Sequence, residues 1–193
     1  VKKMIDLWIK AITKPQETFN AEKKNANLGI GIVNYAIAGL ISGILAFLLF
    51  GIIGAIFGGS LEAVAPGVLS IATTPIFQVI GALIIAGLFF IVAKVLGGKG
   101  SFSQIFYLAS LYAVPIALVS WIPFVGWLAS IYALYLLYLV IKISQGLSTG
   151  RAILTILIPI VILFIIATIL AVIVGVAVLS AFGSLPTTGL FGL

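Results

Sequence analysis

KGSFSQIFYLASLYAVPIALVSWIPFVGWLASIYALYLLYLVIK, residues 99–142, carries a lysine at each end and no charge between them. A membrane-crossing helix takes about 20 apolar residues. The uncharged interior is too long for one crossing and right for two, and Trp121-Ile122-Pro123 divides it into spans at 101–120 and 124–141. Trp121 and Trp127 flank the turn, as indole rings favour the headgroup level. The stretch reads as a tight antiparallel transmembrane hairpin with both lysines on one side.

Working outward, Lys2, Lys3, Lys10, Lys14, Lys23 and Lys24 precede the first apolar run, Lys94 and Lys99 follow the second, and Lys142 and Arg151 follow the fourth. The segments after runs one, three and five hold none of the ten basic residues. Because Lys and Arg collect in short cytoplasmic loops, this one-sidedness predicts five spans, with the N-terminus cytoplasmic and the C-terminus external. The other spans are placed at 28–57, 75–95 and 152–182. Residues 1–27 are a cytoplasmic amphipathic leader, 28–182 the membrane domain, and 183–193 a loose external tail. Residues 58–74, which include Glu62, are an external loop. Pro75 stands at an early helical position, where its missing amide is tolerated. Pro159 predicts a kink in the fifth span, because it clashes with the Thr155 carbonyl and offers it no donor. The fold class is all-α: a polytopic bundle of five transmembrane helices with a short N-terminal amphipathic interfacial helix.

Composition agrees, since 63% hydrophobic residues with 7% charged leave too little polar surface for a soluble globule. The net charge of +6 sits beside membrane spans, which points to anionic lipid headgroups and not to nucleic acid as the partner. The chain has no Cys and no His, which removes thiol chemistry and the commonest general base and metal ligand. No acidic or basic side chain falls in the middle of a span, although proton relays and ion-coupled pumps depend on such groups. Ser42, Ser110 and Thr168 would need a neighbouring base to act as nucleophiles. They read as helix-to-helix hydrogen-bonding groups. No catalytic, cofactor-binding or metal-binding residue is expected, and no cofactor.

The leader divides into two short helices. In Lys2 to Ile12, Met4, Ile5, Trp8, Ala11 and Ile12 share one side and Lys2, Lys3, Asp6 and Lys10 lie largely opposite, so Lys2, Lys3, Trp8 and Lys10 are candidate lipid contacts. Thr13 and Gln16 have capping-box spacing for a second helix. Asp6, Glu17, Glu22 and Glu62 read as ordinary surface charge. Gly39 and Gly43, Gly54 and Gly58, and Ala167, Ala171 and Gly175 place small residues at four-residue spacing, which lets helix backbones approach closely. Intramolecular packing is favoured over homodimerisation for them. Tyr107 and Tyr112 on the third span, with Tyr132, Tyr135 and Tyr138 on the fourth, are expected to form a buried seam whose hydroxyls find partners. Leu185 to Gly189 has the form of a sortase sorting signal, but only Leu190 to Leu193 follow it, in place of a hydrophobic span and basic tail.

Pro15-Gln16-Glu17-Thr18-Phe19, Gly97-Gly98-Lys99-Gly100-Ser101-Phe102, Tyr112-Ala113-Val114-Pro115 and the Trp/Pro/Gly turn before the fourth span together resemble the Yip family, named for proteins that interact with Ypt/Rab GTPases. Pro15, Phe19, Gly97, Gly98, Gly100, Tyr112 and Pro115 carry the resemblance. It implies a five-span, non-enzymatic membrane protein related to membrane trafficking. The short leader and the absence of an Asp-Leu-Tyr-Gly-Pro motif point away from a small GTPase and toward the short prokaryotic-type branch, located in the cytoplasmic membrane. The expected function is a membrane scaffold or adaptor acting through homo- or hetero-oligomers, and the alternative is a passive channel or small-molecule facilitator.

Overall fold

The computed structural model describes residues 2–58 and 64–183, and every regular element among them is helical. Glu62, the tail after Gly183 and its Leu185 to Gly189 motif lie outside the described residues. The leader forms α1 (Lys2–Thr13) and α2 (Pro15–Glu22). The capping box expected at Thr13 does not form: the Thr13 hydroxyl donates back to the Ile9 carbonyl at 2.8 Å, and Lys14 precedes α2 without a side-chain cap. Pro15 starts α2 instead, because its fixed φ is already helical and its missing amide costs nothing in the first turn. A short 3-10 turn, Lys23–Asn25, leads to α3 (Leu28–Ala46), which Asn27 caps by accepting from the Ile30 amide at 3.0 Å. That helix continues through a π-helical turn, Phe47–Ile52, into α4 (Ile53–Gly58). Then come α5 (Val64–Val95), α6 (Phe102–Val119), α7 (Val125–Gln145) and α8 (Thr149–Gly183).

Five of these helical stretches, Leu28–Phe57, Val64–Val95, Phe102–Val119, Val125–Gln145 and Thr149–Val176, are long and apolar enough to cross a membrane. The second differs from the sequence expectation. It begins at Val64, so Pro75 lies inside α5 and not near its start. In hydrocarbon every backbone group must be satisfied within the protein, and the apolar run before Pro75 gains more from helix than from loop. The approach of α3 suits the proline. An added Cβ on Gly39 would come within 2.5 Å of the Pro75 Cα, and one on Gly43 within 2.7 Å of the Ser70 carbonyl oxygen. Ser70 answers this proximity by donating to the Gly43 carbonyl at 3.1 Å and to its own Gly67 carbonyl at 2.6 Å.

The chain divides into two units, 1–156 and 157–193. In the first, α3 packs against α5 and α6, α6 against α7, α1 against α6 and α2 against α7. Phe19, Ile105, Phe106, Leu108, Leu136 and Val140 form the fully buried centre. A second cluster of Phe89, Ala93, Ile141, Leu147, Ala152 and Ile156 gathers the end of α5, the end of α7 and the first turns of α8. The described part of the second unit, 157–183, is the remainder of α8. It carries no charged residue, and its Thr168 hydroxyl donates to the Phe164 carbonyl at 2.8 Å, the local bond that a hydroxyl needs on an apolar helix.

Candidate functional site: the leader clamp and the glycine turn

The turn between α5 and α6 is built against the end of α7. Gly97 takes a φ of 92°, a region that residues with a Cβ rarely adopt. The Gly98 amide closes α5 on the Ala93 carbonyl at 2.7 Å, and the Lys99 amide donates to the Gln145 carbonyl at 2.9 Å. A Cβ on Gly100 would collide with the Ser144 carbonyl oxygen. Gln145 is fully buried under this turn, with its Nε2 donating to the Ser101 carbonyl at 3.3 Å. Its Oε1 has no partner among the described residues. A capping box that was not expected forms here: Ser101 accepts from the Gln104 amide and Gln104 Oε1 accepts from the Ser101 amide at 3.0 Å. Its Ser-x-x-Gln spacing stands in the sequence, beside the glycines that drew attention instead.

The leader is clamped onto this end. Lys23 Nζ donates to the Ile143 carbonyl at 2.7 Å, and Gln104 Nε2 donates to the Lys23 carbonyl at 3.3 Å. The Tyr107 hydroxyl donates to Glu22 at 2.7 Å. Glu22 is therefore an anchor and not the plain surface charge that its lysine neighbours imply. Deeper in the unit, Asn34 of α3 is 1% exposed and ties three helices. It accepts from the Trp8 indole N–H at 3.2 Å and donates to Ser110 at 3.0 Å, and Ser110 donates to the Tyr107 carbonyl at 2.7 Å. The signal for Asn34 was an amide alone in a long apolar run, where a polar side chain needs a partner from another helix.

Trp8 is thus a contact of the helix bundle, partly buried beside Ala38, Val114 and Ala117. The indole can satisfy its N–H and bury its ring at once by turning inward. Ile5 and Ile9 are the large apolar side chains of α1 left exposed. Lys2 opens α1, Lys3 is exposed, and Lys10 pairs with Asp6 at 2.8 Å.

The tyrosine seam between α6 and α7 does not form. Tyr107 and Tyr112 are five residues apart, which sets them about 140° apart around a helix, so they cannot serve one interface. Tyr107 reaches the leader and Tyr112 lines a cavity. On α7, Tyr132 and Tyr135 are exposed, with ring centroids 5.8 Å apart. Tyr132 donates to the Ile12 carbonyl at 2.6 Å, and Tyr138 donates to Thr149 at 3.3 Å.

Of the residues that carry the family resemblance, Pro15 starts α2, Phe19 is fully buried in the centre, and Gly97, Gly98 and Gly100 make the turn. Tyr112 and Pro115 lie farther along α6. Among the small residues, Gly39 and Gly43 face α5, Gly54 and Gly58 are in α4, and Ala167, Ala171 and Gly175 follow one another along a face of α8. Arg151, at the start of α8, places its guanidinium over Gly97. Lys142 Nζ donates to Thr149 at 3.1 Å and lies over the Tyr138 ring. One end of the 1–156 unit thus collects Lys23, Lys99, Lys142 and Arg151. Among the described residues no carboxylate forms a salt bridge with any of these four.

No curated protein and no solved structure matches the chain. The family model of the Yip1 domain matches residues 9–171, from the middle of α1 into the second half of α8. This chain, an integral membrane protein, belongs to the Yip1 domain family, which is linked to membrane trafficking.

Proposed function

We propose that the protein is a non-enzymatic membrane scaffold or adaptor of trafficking or membrane organisation, acting through homo- or hetero-oligomers on an anionic membrane face. The leader clamp is the observation that carries this reading. Three long-range hydrogen bonds join residues 22–23 to α6 and α7, so the leader is a fixed part of the surface. Beside it stand Lys99, Lys142 and Arg151, available to anionic headgroups or an acidic partner surface. The same grouping supports a cytoplasmic N-terminus by the excess of basic residues on that side.

Crosslinking in native membranes tests the scaffold: discrete oligomers or heteromeric adducts through the leader or the 97–101 turn are expected. Saturable, solute-specific uptake by reconstituted proteoliposomes would overturn it in favour of a facilitator. Reporter fusions after Phe57, after Gly98 and at Leu193 test the orientation, and a cytoplasmic signal at Leu193 would refute the odd number of crossings.

A further inference from the structure

Between α3, α5 and α6 lies a cavity of about 510 Å³, inside the usual range for small-molecule sites. Its lining includes Phe77 and Gln78, both exposed on α5. Five polar side chains line it: Tyr35 and Ser42 from α3, Gln78 from α5, Tyr112 from α6, and Ser120 just after α6, whose hydroxyl already donates to the Ala117 carbonyl at 3.2 Å. Among the described residues Tyr35, Ser42, Gln78 and Tyr112 form no side-chain hydrogen bond, and the polar atoms of Tyr35, Ser42 and Tyr112 are not sealed from contact. All four side chains line the cavity. No charged residue lines it.

We propose that this cavity binds a neutral lipid with an apolar chain and a hydroxyl or carbonyl oxygen as its polar group. The medium around a membrane span is hydrocarbon, and a plain acyl chain would leave four polar groups without partners, each at a cost. An oxygen-bearing group can accept from the tyrosine hydroxyls and the Gln78 amide, and a hydroxyl can also donate to the Gln78 carbonyl. A charged headgroup would enter without a counter-charge, which is strongly disfavoured away from water. A partner helix, about 10 Å across, would fill the volume within about one turn and could not reach all four groups.

The test uses the full chain in nanodiscs of zwitterionic phospholipid with two photoactivatable probes, a diazirine-bearing long-chain alcohol and the matching alkane without the oxygen. The alcohol is expected to label α5 and α6 around Gly81 and Tyr112 several-fold more than the alkane. Gly81→Phe should cut that labelling about tenfold, because an added Cβ there meets nothing within 4 Å and the ring can enter the cavity. Gln78→Leu and Tyr112→Phe should each lower the preference for alcohol over alkane roughly fivefold, the worth of one hydrogen bond. These two variants keep the proposal testable should Gly81→Phe not fold. Equal labelling by both probes, labelling that survives in folded Gly81→Phe, or a preference unchanged in both polar variants would overturn it.

Discussion

At the basic end of the 1–156 unit, side chains hold the chain together; at the crossing of α3 and α5, their absence does. Lys23, Gln104, Tyr107 and Gln145 reach across more than forty residues of sequence to close carbonyls and carboxylates. Gly39 and Gly43 instead let two backbones meet at Pro75 and Ser70, with one interhelical hydroxyl bond at the contact. A hydrogen bond gains about 1 kcal/mol net, whereas backbone overlap cannot be relieved by a rotamer change. Disturbing the close approaches should therefore cost more than cutting the bonds.

The largest effect is expected at Gly100, where both devices coincide in the tightest approach. A Cβ there meets the Ser144 carbonyl and the side chains of Gln104 and Gln145 together. Gly100→Val should destabilise by about 3 kcal/mol or more, seen as a lower midpoint or lost monodisperse peak in detergent thermal scans. A wild-type midpoint would mean that the turn does not press on α7. Next come Gly39→Ala and Gly43→Ala, each expected to cost about 1–3 kcal/mol by forcing α3 from α5. Gly81→Ala on the same α5 is the internal control: its Cβ meets no neighbour, so it should be neutral or slightly stabilising through helix propensity. Equal losses at all three sites would dissolve the contrast between packed and open glycines.

The two regions also differed in how far the sequence disclosed them. The five long apolar helices were readable because bilayer thickness sets a length and charge marks the ends, though the second begins at Val64, inside the expected loop. Gly39 and Gly43 were readable as a packing row, though their partner on α5 was not, since Pro75 reads more naturally as a helix start than as an interior residue. The clamp was mostly hidden. Glu22, Gln104 and Gln145 are ordinary polar residues until folding brings them to Tyr107, Lys23 and Ser101. Trp8 and Tyr107 take their places from partners on other elements, Asn34 and Glu22, which no spacing within their own helices marks.

Within the polar network, Lys23→Met keeps the stem and removes the bond to the Ile143 carbonyl, so a loss of about 1 kcal/mol is expected. Protease protection of residues 1–27 should fall with it. Protection unchanged from wild type would mean that packing of Phe19 alone holds the leader.

The smallest effect should be Trp8→Phe, which keeps an aromatic ring beside Ala38 and Val114 but deletes the indole donor to Asn34. Hydrogen bonds between membrane helices average about 0.6 kcal/mol, so the single variant will sit near the limit of a thermal scan. A double-mutant cycle with Asn34→Ala makes it measurable. If Trp8 donates to Asn34, the two substitutions couple and the double variant loses less than the separate losses added together. Quenching by brominated lipid gives a second view, because an indole turned toward α3 and α6 should be quenched less than one substituted at exposed Ile9 in a Trp8→Phe background. Additive losses together with equal quenching at positions 8 and 9 would return Trp8 to the lipid face and leave Asn34 bonded to Ser110 alone.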